Sequence, residues 1–189
     1  VPCGYSRLSD PLFAGYFERM PDVLRMYDKV IYLSDDYLDT EFGTKHGLQN
    51  GVVIPNGADL REFGEERSGR FRRQFGLADK KIILNVSNHS KLKGHDFFWN
   101  SIGRLKNLDV AAVLIGNAYV SAPKKWLKEC YTECKLSAWR GSGLILEDYP
   151  RSGVADAYMD ADIFLFGSKV ECSPLVMFEA FASRTLFVT

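Results

Sequence analysis

The sequence predicts an α/β fold built on a doubly wound parallel sheet. From residue 81 to the end of the chain, short apolar segments of strand length alternate with longer segments of helical character. The strand segments are continuous apolar runs, which is typical of parallel strands that are buried on both faces. Five strands of this kind, with four helices between them, favour a doubly wound sheet.

The elements follow one another in a regular order. Strands are expected at 81–87, 110–116, 143–146, 162–166 and 185–189. Helices are expected between them at 95–106, 123–139, 152–159 and from Pro174 onward. Ahead of this series we expect a helix at 13–26 with Pro21 as a candidate break, strands at 29–34 and 51–55, and a charged loop and helix at 61–75.

The first 50 residues do not keep this rhythm, so we expect two parts in the chain. Residues 1–50 are interpreted as the tail of a preceding N-terminal domain or as a linker, and 51–189 as one α/β domain. The turn signal Asn56-Gly57 lies near the expected hinge. The start at Val1 and the strand-like finish LFVT predict a piece of a longer protein, truncated at the carboxyl end of this domain.

Composition argues against several classes of protein. The chain has 24 basic and 24 acidic residues and a net charge of zero, so bulk nucleic-acid binding is not expected. No apolar run reaches the roughly 18 to 20 residues that span a bilayer, and no signal peptide is visible. The four cysteines do not form a disulfide framework, and reduced thiols fit a cytoplasmic protein.

The spacing of cysteines and histidines predicts no metal site. Cys130 and Cys134 are four residues apart on an expected helix, where two thiolates can share a metal ion. No third cysteine and no histidine lies nearby in the sequence to complete the set. His46, His89 and His95 show no metal spacing among themselves and are expected to lie outside catalysis.

Two glutamates, Glu171 and Glu179, stand eight residues apart at the last strand-to-helix junction. Ser173 at the N-cap and Pro174 at the first helical position predict that the helix starts between them. The unpaired N–H groups of a helix start suit a phosphate, and carboxylates beside it accept hydrogen bonds from sugar hydroxyls. Open α/β sheets bind ligands at this edge. The alternative is a solvated loop glutamate and a helix-surface glutamate.

A second candidate site follows the strand at 81–87. Lys91 and Lys93 frame a turn that ends at Gly94, just before an expected helix. Cations at a helix N-terminus attract anions, and glycine permits a close backbone approach. Gly116 permits the same approach at the end of the next strand, or is an ordinary turn residue. The chain has neither the P-loop nor the dinucleotide fingerprint, and a solvated turn is the alternative for the two lysines.

Several segments of the chain, taken in order, resemble the retaining glycosyltransferases of family 4. They are VVIPNGAD, the Lys-Gly loop, VLIG, ADIFLFGS and the spaced glutamates. The resemblance covers about residues 25–189. It implies a GT-B fold, which has two Rossmann-like domains, and it makes this chain one half of that fold, the donor-binding half. It also implies a nucleotide-diphosphate sugar as the donor, and neither a bound metal nor another cofactor.

The resemblance implies roles for individual residues. Lys93 resembles the lysine that contacts the donor diphosphate, Glu179 the glutamate that binds ribose hydroxyls, and Glu171 the glutamate that holds the transferred sugar. The segment 145–149 resembles the one that lines the base. Backbone groups of four consecutive residues would reach sugar and phosphate: Cys172, Ser173, Pro174 and Leu175. Catalysis would rest on electrostatic stabilisation of the departing diphosphate by Lys93 and helix-end N–H groups.

The chain departs from the family pattern in two ways. Asn88 stands where the family usually has an arginine that binds the diphosphate, and an amide lacks the charge of a guanidinium. Either Lys91 replaces that arginine or the leaving group is stabilised less well. Most of the amino-terminal domain is also absent, and with it the acceptor site and a glycine-rich loop, as is the closing helix of the family.

The sequence thus predicts the donor-binding domain of a retaining glycosyltransferase, with little activity apart from its missing N-terminal domain. The alternatives are a nucleotide-sugar epimerase on the same fold and a non-catalytic nucleotide-sugar-binding module, for which Asn88 would be the sign. The acceptor is unknown, whether glycan, lipid or small molecule, and no nucleic-acid partner is expected. We expect a cytoplasmic location or one at the inner membrane face.

Overall fold

The computed structural model describes residues 5–64, 67–105, 107–117, 125–141 and 143–189. The chain divides into two units. The first contains Val1–Asn56 and Val170–Pro174, and the second contains Gly57–Lys169 and Leu175–Thr189. Within the described part of the chain, no helix has the length and apolar character that crossing a membrane requires.

The first unit contains a short parallel sheet. Its elements are α1 (Ala14–Arg25), β1 (Val30–Tyr32), α2 (Leu38–Lys45) and β2 (Gly51–Val53). β1 pairs in parallel with β2, and Ile31 lies opposite Val52. The apolar core of this unit includes Phe17, Leu24, Tyr32 and Phe42. β2 therefore pairs with β1 and not with the strands of the larger sheet.

Helix α1 continues through Pro21, which the sequence marks as a candidate break. A proline inside a helix removes a backbone hydrogen bond and costs about 3 kcal/mol. Pro21 is buried beside Met20, on a helix that also buries Phe17 and Leu24. Burial of these apolar side chains offsets the lost hydrogen bond, so the helix is not interrupted.

The second unit contains a five-stranded sheet. Its helices are α3 (Leu60–Phe63), α4 (Arg70–Phe75), α5 (His95–Arg104), α6 (Lys125–Gly141), α7 (Arg151–Asp160) and α8 (Leu175–Ala182). Its strands are β3 (Lys81–Val86), β4 (Val110–Ile115), β5 (Leu144–Leu146), β6 (Ile163–Leu165) and β7 (Leu186–Val188). Neighbouring strands all pair in parallel, in the order β5-β4-β3-β6-β7. The predicted parallel sheet is confirmed.

Both faces of this sheet are buried. Successive residues of β3 point to opposite faces, so that Ile82 and Leu84 join one apolar cluster and Ile83 joins the other. The first cluster includes side chains from α3, α4, α7 and α8, and the second includes side chains from α5 and α6. Helices on both faces explain why the strand segments are continuous apolar runs in the sequence.

The strand order creates a topological switch beside β3. The chain continues from β3 to β4 and β5 on one side, whereas β6 and β7 lie on the other side. Because parallel strands end at the same edge of a sheet, the loops after β3, β4, β5 and β6 meet there. In open α/β sheets, ligands bind outside the carboxyl ends of the strands at such a switch.

Helix α8 begins at Leu175, one residue later than the sequence predicts. Pro174 therefore precedes the first helical residue, and Ser173 is not the N-cap. Proline is compatible with this position because its nitrogen has no hydrogen to donate, and helix starts commonly differ by one residue from the position that the pattern indicates.

Candidate functional site

Three loops at the carboxyl edge of the larger sheet are joined by hydrogen bonds. After β3, the side-chain oxygen of Asn88 accepts a hydrogen bond from the N–H of Asn117, at 3.2 Å. After β4, the Asn117 side chain accepts from the N–H of Asp148 at 2.7 Å and donates to its carboxylate at 2.9 Å. Asp148 follows β5 and has a φ of 50°, which these bonds help to maintain. The three loops therefore form one connected surface.

Gly116 directly follows β4 and permits two of these loops to approach closely. A Cβ atom at this position would lie 1.9 Å from the carbonyl oxygen of Ser87. Only a residue without a side chain fits so near a neighbouring backbone. Loop packing therefore accounts for this glycine without a ligand.

The segment between β3 and α5, residues 87–94, is here called the lysine loop. It contains a 3-10 turn at Lys91–Lys93, followed by Gly94 with a φ of 65°. The carbonyl oxygen of Leu92 accepts hydrogen bonds from the N–H of Lys169 at 2.8 Å and from a serine hydroxyl after β6 at 3.2 Å. A Cβ atom on Gly94 would lie 1.8 Å from the Gly167 carbonyl oxygen. These contacts hold the loop at the switch between β3 and β6.

The two lysines of this loop have different surroundings. Lys91 lies 3.5 Å from the carboxylate of Glu129 on α6, and 58% of its side chain is exposed. Lys93 is half-buried and directly precedes Gly94 at the start of α5. Partial burial strengthens the attraction between a cation and a bound anion, because water screens the charges less. Lys93 is therefore the stronger candidate for an anion ligand.

Glu179 of α8 is buried and paired with an arginine. Its carboxylate lies 2.7 Å from the guanidinium of Arg151, at the start of α7, and only 6% of its side chain is exposed. The same guanidinium donates to Glu62 of α3 at 2.7 and 3.2 Å and lies 4.8 Å from the centre of the Phe63 ring. Sequence reasoning identifies Glu179 but misses Arg151, because packing between α7 and α8 brings them together.

Tyr158 of α7 adds a second polar group beside Glu179. Burial raises the pKa of Tyr158 well above its usual value, and the charge of Glu179 and a hydrogen bond to it add to the shift. The phenol therefore stays protonated, and its hydroxyl donates to the carbonyl oxygen of Val176 at 3.3 Å. Glu179 is thus oriented by Arg151, with the Tyr158 ring beside it.

The segment around Glu171 belongs to the first unit. The side chain of Asn56 donates a hydrogen bond to the carbonyl oxygen of Ser173 at 2.7 Å, which anchors this segment. Burial raises the pKa of Tyr37, and the nearby thiol of Cys172 raises it further. The other candidate residues divide between the units, with Pro174 in the first and Leu175 and Glu179 in the second.

The segment that resembles a base-lining stretch, residues 145–149, is held by two tyrosine hydroxyls. Tyr131 of α6 donates a hydrogen bond to Glu147. Tyr149 donates to Gln74 of α4 at 3.0 Å. The segment therefore has a defined conformation at the end of β5, next to the loop that follows β4.

One group of chemically active side chains is missing from the sequence-based predictions. His89 lies in the lysine loop and His95 just after it, and both lie with Cys130 and Cys134 of α6. The ligand atoms of all four residues are within 4.8 Å of one another, and all four residues are buried. The inference that no histidine lies near the two cysteines is therefore wrong. Packing of the lysine loop against α6 assembles the group, and no sequence spacing reports it.

The two thiols of this group are polarised against each other. A hydrogen bond with Cys134 holds the pKa of Cys130 well below its usual value in spite of burial, and the neighbouring His89 and His95 act in the same direction. The same hydrogen bond and burial raise the pKa of Cys134. Both cysteines are free. A thiolate at Cys130 is the form of cysteine that binds metals and acts as a nucleophile.

Several solved structures share the fold of this chain. Anabaena Alr3699/HepE, in complex with UDP and glucose, is 19% identical and matches with a TM-score of 0.73 over 92% of this chain and 47% of its own. Sucrose-phosphate synthase (tll1590) from Thermosynechococcus elongatus is 18% identical, with a TM-score of 0.73 over 97% of this chain and 46% of its own. These likenesses show the fold, half of a GT-B architecture.

Two further proteins extend the comparison. The α,α-trehalose-phosphate synthase (UDP-forming) from Burkholderia xenovorans, in complex with glucose-6-phosphate, is 14% identical, with a TM-score of 0.72 over 88% of this chain and 46% of its own. YtcC of Bacillus subtilis (strain 168), named as a candidate glycosyltransferase, is 24% identical over 148 residues, which are 72% of this chain and 36% of YtcC. The chain therefore spans about a third to a half of the length of these proteins.

The family comparison covers the second unit from just before β3 to the last residue. Residues 80–189 match the family described as Glycosyl transferases group 1. This match takes in the lysine loop, the loops after β4 and β5, and Glu179. The chain belongs to the glycosyl transferases of group 1.

Proposed function

We propose that this chain is the donor-binding half of a retaining glycosyltransferase of family 4, with a nucleotide-diphosphate sugar as its donor. The observation that carries the proposal is the lysine loop. It presents a half-buried cation, Lys93, beside the start of α5, at the switch between β3 and β6 where open α/β sheets bind ligands. Membership of group 1 supports a glycosyl group as the group transferred.

The proposed chemistry rests on electrostatics. When the bond between sugar and diphosphate breaks, negative charge develops on the departing diphosphate. Lys93 and the backbone N–H groups at the start of α5 stabilise that charge in a partly desolvated position. No side chain acts as a nucleophile, and no metal takes part in this step.

Glu179 is proposed to accept hydrogen bonds from the ribose hydroxyls of the donor. Its pairing with Arg151 supports this role, because a carboxylate that is already oriented loses little freedom when a ligand binds. Glu171 and the backbone of Cys172, Ser173, Pro174 and Leu175 remain predicted ligands of the sugar and phosphate, as the resemblance implies.

UDP is the first nucleotide to test as the donor group. The solved relatives include HepE in complex with UDP and glucose and a UDP-forming trehalose-phosphate synthase. The acceptor site would lie in the amino-terminal domain of the whole protein, and transfer of the sugar is proposed for that protein. A cytoplasmic location remains a prediction.

One observation favours a second candidate, a non-catalytic nucleotide-sugar-binding module. Asn88 replaces the usual arginine, and its side-chain oxygen is engaged with the N–H of Asn117. Lys91, the candidate substitute, lies beside Glu129, which neutralises part of its charge. Both facts reduce the positive charge available to a leaving diphosphate, whereas binding of the nucleotide would persist.

Calorimetric titration of this chain with UDP, GDP and ADP tests the donor site. We expect UDP to bind, and Lys93→Ala and Glu179→Gln each to weaken binding by about 10- to 150-fold, the equivalent of one lost charged hydrogen bond of about 1.5 to 3 kcal/mol. Lys80→Ala is the matched control. It removes the same charge at the opposite edge of the sheet, where Lys80 pairs with Asp109 at 2.8 Å, and it should leave the affinity unchanged.

Two results would contradict the proposal. A folded chain that binds none of the nucleotides carries no donor site of its own, and binding that survives both variants lies elsewhere. If UDP binds as expected, incubation of the full-length protein with UDP-sugars separates the enzymatic outcomes. Transfer or slow donor hydrolysis supports a transferase, release of an isomerised sugar without acceptor indicates an epimerase, and an unchanged donor indicates a binding module.

A further inference from the structure

The four-residue group beneath the lysine loop has the geometry of a tetrahedral metal site. The Nδ1 atom of His95 lies 3.5 Å from the sulfur of Cys130 and 3.3 Å from the sulfur of Cys134. With metal-to-ligand distances of about 2.0 to 2.3 Å, a tetrahedral zinc site separates its ligand atoms by roughly 3.3 to 3.8 Å. The whole set lies within 4.8 Å, so closure around an ion needs side-chain shifts of about 1 Å.

His89 has buried ring nitrogens that hydrogen bonding within the group does not account for. It is 1% exposed, and within the described residues neither of its ring nitrogens has a hydrogen-bond partner. An unpartnered buried polar group costs about 1 to 3 kcal/mol. The ring is held edge-on between the rings of His95 and Tyr131, at 5.0 and 4.9 Å. A metal ion at the centre of the group would satisfy one of its nitrogens.

The surroundings of His95 select the tautomer that a metal ligand needs. Its Nε2 atom lies 2.8 Å from the hydroxyl oxygen of Ser87. That hydroxyl donates to the side-chain oxygen of Asn85 at 2.6 Å, and the Asn85 amide donates to the Leu165 carbonyl at 2.8 Å. Because the hydroxyl proton is committed to Asn85, Nε2 is the donor to Ser87. The Nδ1 lone pair of His95 then faces the two sulfurs, and outer hydrogen bonds of this kind orient histidine ligands.

The ligand types indicate which metal fits. Two thiolates and two imidazoles in a closed tetrahedral arrangement match structural zinc, whereas calcium and magnesium require oxygen ligands. A cavity of about 340 Å³ beside α5 and α6 is lined by His95, Cys130 and Cys134. It offers an ion a path to the group from the surface.

We propose that His89, His95, Cys130 and Cys134 form a structural zinc site. The ion fastens the lysine loop to α6, because one histidine lies on each side of Lys91–Lys93 and both cysteines lie on one helix face. Its role is to hold the shape of the loop. The ion takes no part in sugar transfer, so this inference does not depend on the nature of the donor.

The first test is the zinc content and affinity of the intact chain. After purification without added metal, we expect close to one zinc ion per chain by elemental analysis, and competition against a chromophoric chelator should give an affinity. Replacement by Co²⁺ should produce the visible absorption of tetrahedral cobalt and a thiolate-to-cobalt charge-transfer band. A folded wild-type chain that takes up neither Zn²⁺ nor Co²⁺ under reducing conditions overturns the proposal.

Variants assign the site to these four residues. Cys134→Ser and His89→Gln should lose stoichiometric zinc and the cobalt spectrum, whereas Cys172→Ser and His46→Gln, which alter residues outside the group, should keep both. Ser87→Ala keeps all four ligands and removes only the outer hydrogen bond, so it should weaken zinc binding about 10- to 100-fold. Full zinc binding by Cys134→Ser or His89→Gln would assign the metal to other residues and contradict the proposal.

A further measurement connects the ion with the loop. Chelation of zinc should lower the melting temperature and speed hydrogen exchange at residues 88–95, and added Zn²⁺, but not Mg²⁺, should restore both. Exchange that is unchanged in the lysine loop after complete removal of the ion would refute the role assigned to it. Formation of a Cys130–Cys134 disulfide on oxidation, with no metal bound before it, would also count against the site.

Discussion

Arg151 is the residue that keeps a buried carboxylate of the candidate site in place. It stands between Glu179, whose side chain is 6% exposed, and Glu62, whose side chain is 32% exposed. An ionised carboxylate away from water needs a charged or hydrogen-bonding partner. Arg151 itself is 58% exposed, so solvent moderates the energy of the pair. The pairing with Arg151 explains how Glu179 can be buried, and binding of hydroxyl groups by Glu179 remains a prediction.

Arg151→Met should lower the free energy of unfolding by about 1 to 3 kcal/mol, because Glu179 is left without its partner. Glu62→Gln changes the other side of the same guanidinium and should cost less than about 1 kcal/mol, since that pair is more exposed. Urea unfolding followed by circular dichroism measures both. Equal losses of unfolding free energy in the two variants would show that the pair between Arg151 and Glu179 adds nothing to stability.

At the scale of residues, the sequence predicts ligands by resemblance but not their partners. Lys93 and Glu179 are recognisable because each belongs to a short pattern, a Lys-Gly pair and a spaced pair of glutamates. Arg151 and His89 belong to no such pattern. Their roles come from side chains that are distant in the chain, and only the packing of α7 on α8 and of the lysine loop on α6 brings those side chains near.

At the scale of elements, the lysine loop depends on the close crossing of two glycines. Gly94 and Gly167 face each other at the ends of the loop after β3 and the loop after β6. A Cβ atom on Gly94 would lie 1.8 Å from the Gly167 carbonyl oxygen, and Gly94 also has a φ of 65°. Both the conformation and the space therefore exclude a side chain at this position.

Gly94→Ala can be compared with Gly76→Ala, which has the same φ of 65° but nothing within 4 Å of the added atom. Gly76→Ala should cost about 1 to 2 kcal/mol from the backbone conformation alone. Gly94→Ala should cost about 1 to 3 kcal/mol more, because the loop must also move away from Gly167. Thermal or urea unfolding of both variants checks the difference. If Gly94→Ala and Gly76→Ala lose the same unfolding free energy, the lysine loop moves away from Gly167 without strain.

The local sequence pattern predicts some elements of the fold, and longer-range packing decides others. β3 and β4 are predicted correctly because runs of apolar residues are buried on both faces of a parallel sheet. Two features are decided by longer-range packing. Helix α1 passes through Pro21 because its buried face compensates the missing hydrogen bond. Strand β2, which the sequence analysis assigns to the larger domain, pairs with β1. Neither outcome is encoded in the spacing of residues.

At the scale of the whole chain, the two edges of the larger sheet have different roles. The carboxyl edge carries the linked loops and the lysine loop, where a ligand can bind. The amino edge carries a network of ion pairs at Asp162 and of backbone hydrogen bonds to the side chain of Asp160. Asp160 accepts hydrogen bonds from the N–H groups of Gly69 and Phe71 at 2.9 Å each, and so caps the start of α4. The amino edge therefore contributes stability, and the carboxyl edge is the one at which we propose that a ligand binds.

Asp162 is the residue through which this network responds to pH. Its carboxylate lies 2.6 Å from Arg72 and 3.1 Å from Arg67, and it accepts a hydrogen bond from the Ile82 N–H at 2.9 Å. Burial acts to raise the pKa of Asp162, but the Ile82 N–H and the two arginines outweigh it and hold the pKa at about 2. An unfolded aspartate has a pKa of about 3.9. The charge of Asp162 therefore stabilises the fold fully above about pH 4, and this contribution is lost as the pH falls toward 2.

Asp162→Asn should lower the free energy of unfolding at pH 7 by about 1.5 to 3 kcal/mol, since hydrogen bonds to a charged group are lost. The difference in the free energy of unfolding between variant and wild type should shrink between about pH 4 and pH 2, because the wild-type carboxylate becomes protonated there. Asp109→Asn, which alters an exposed carboxylate at the same edge that pairs with Lys80, should cost less than about 1 kcal/mol at any pH. Chemical unfolding across this range measures all three proteins. If the loss of unfolding free energy in Asp162→Asn stays constant down to pH 2, the shape of the side chain, and not its charge, supports the amino edge.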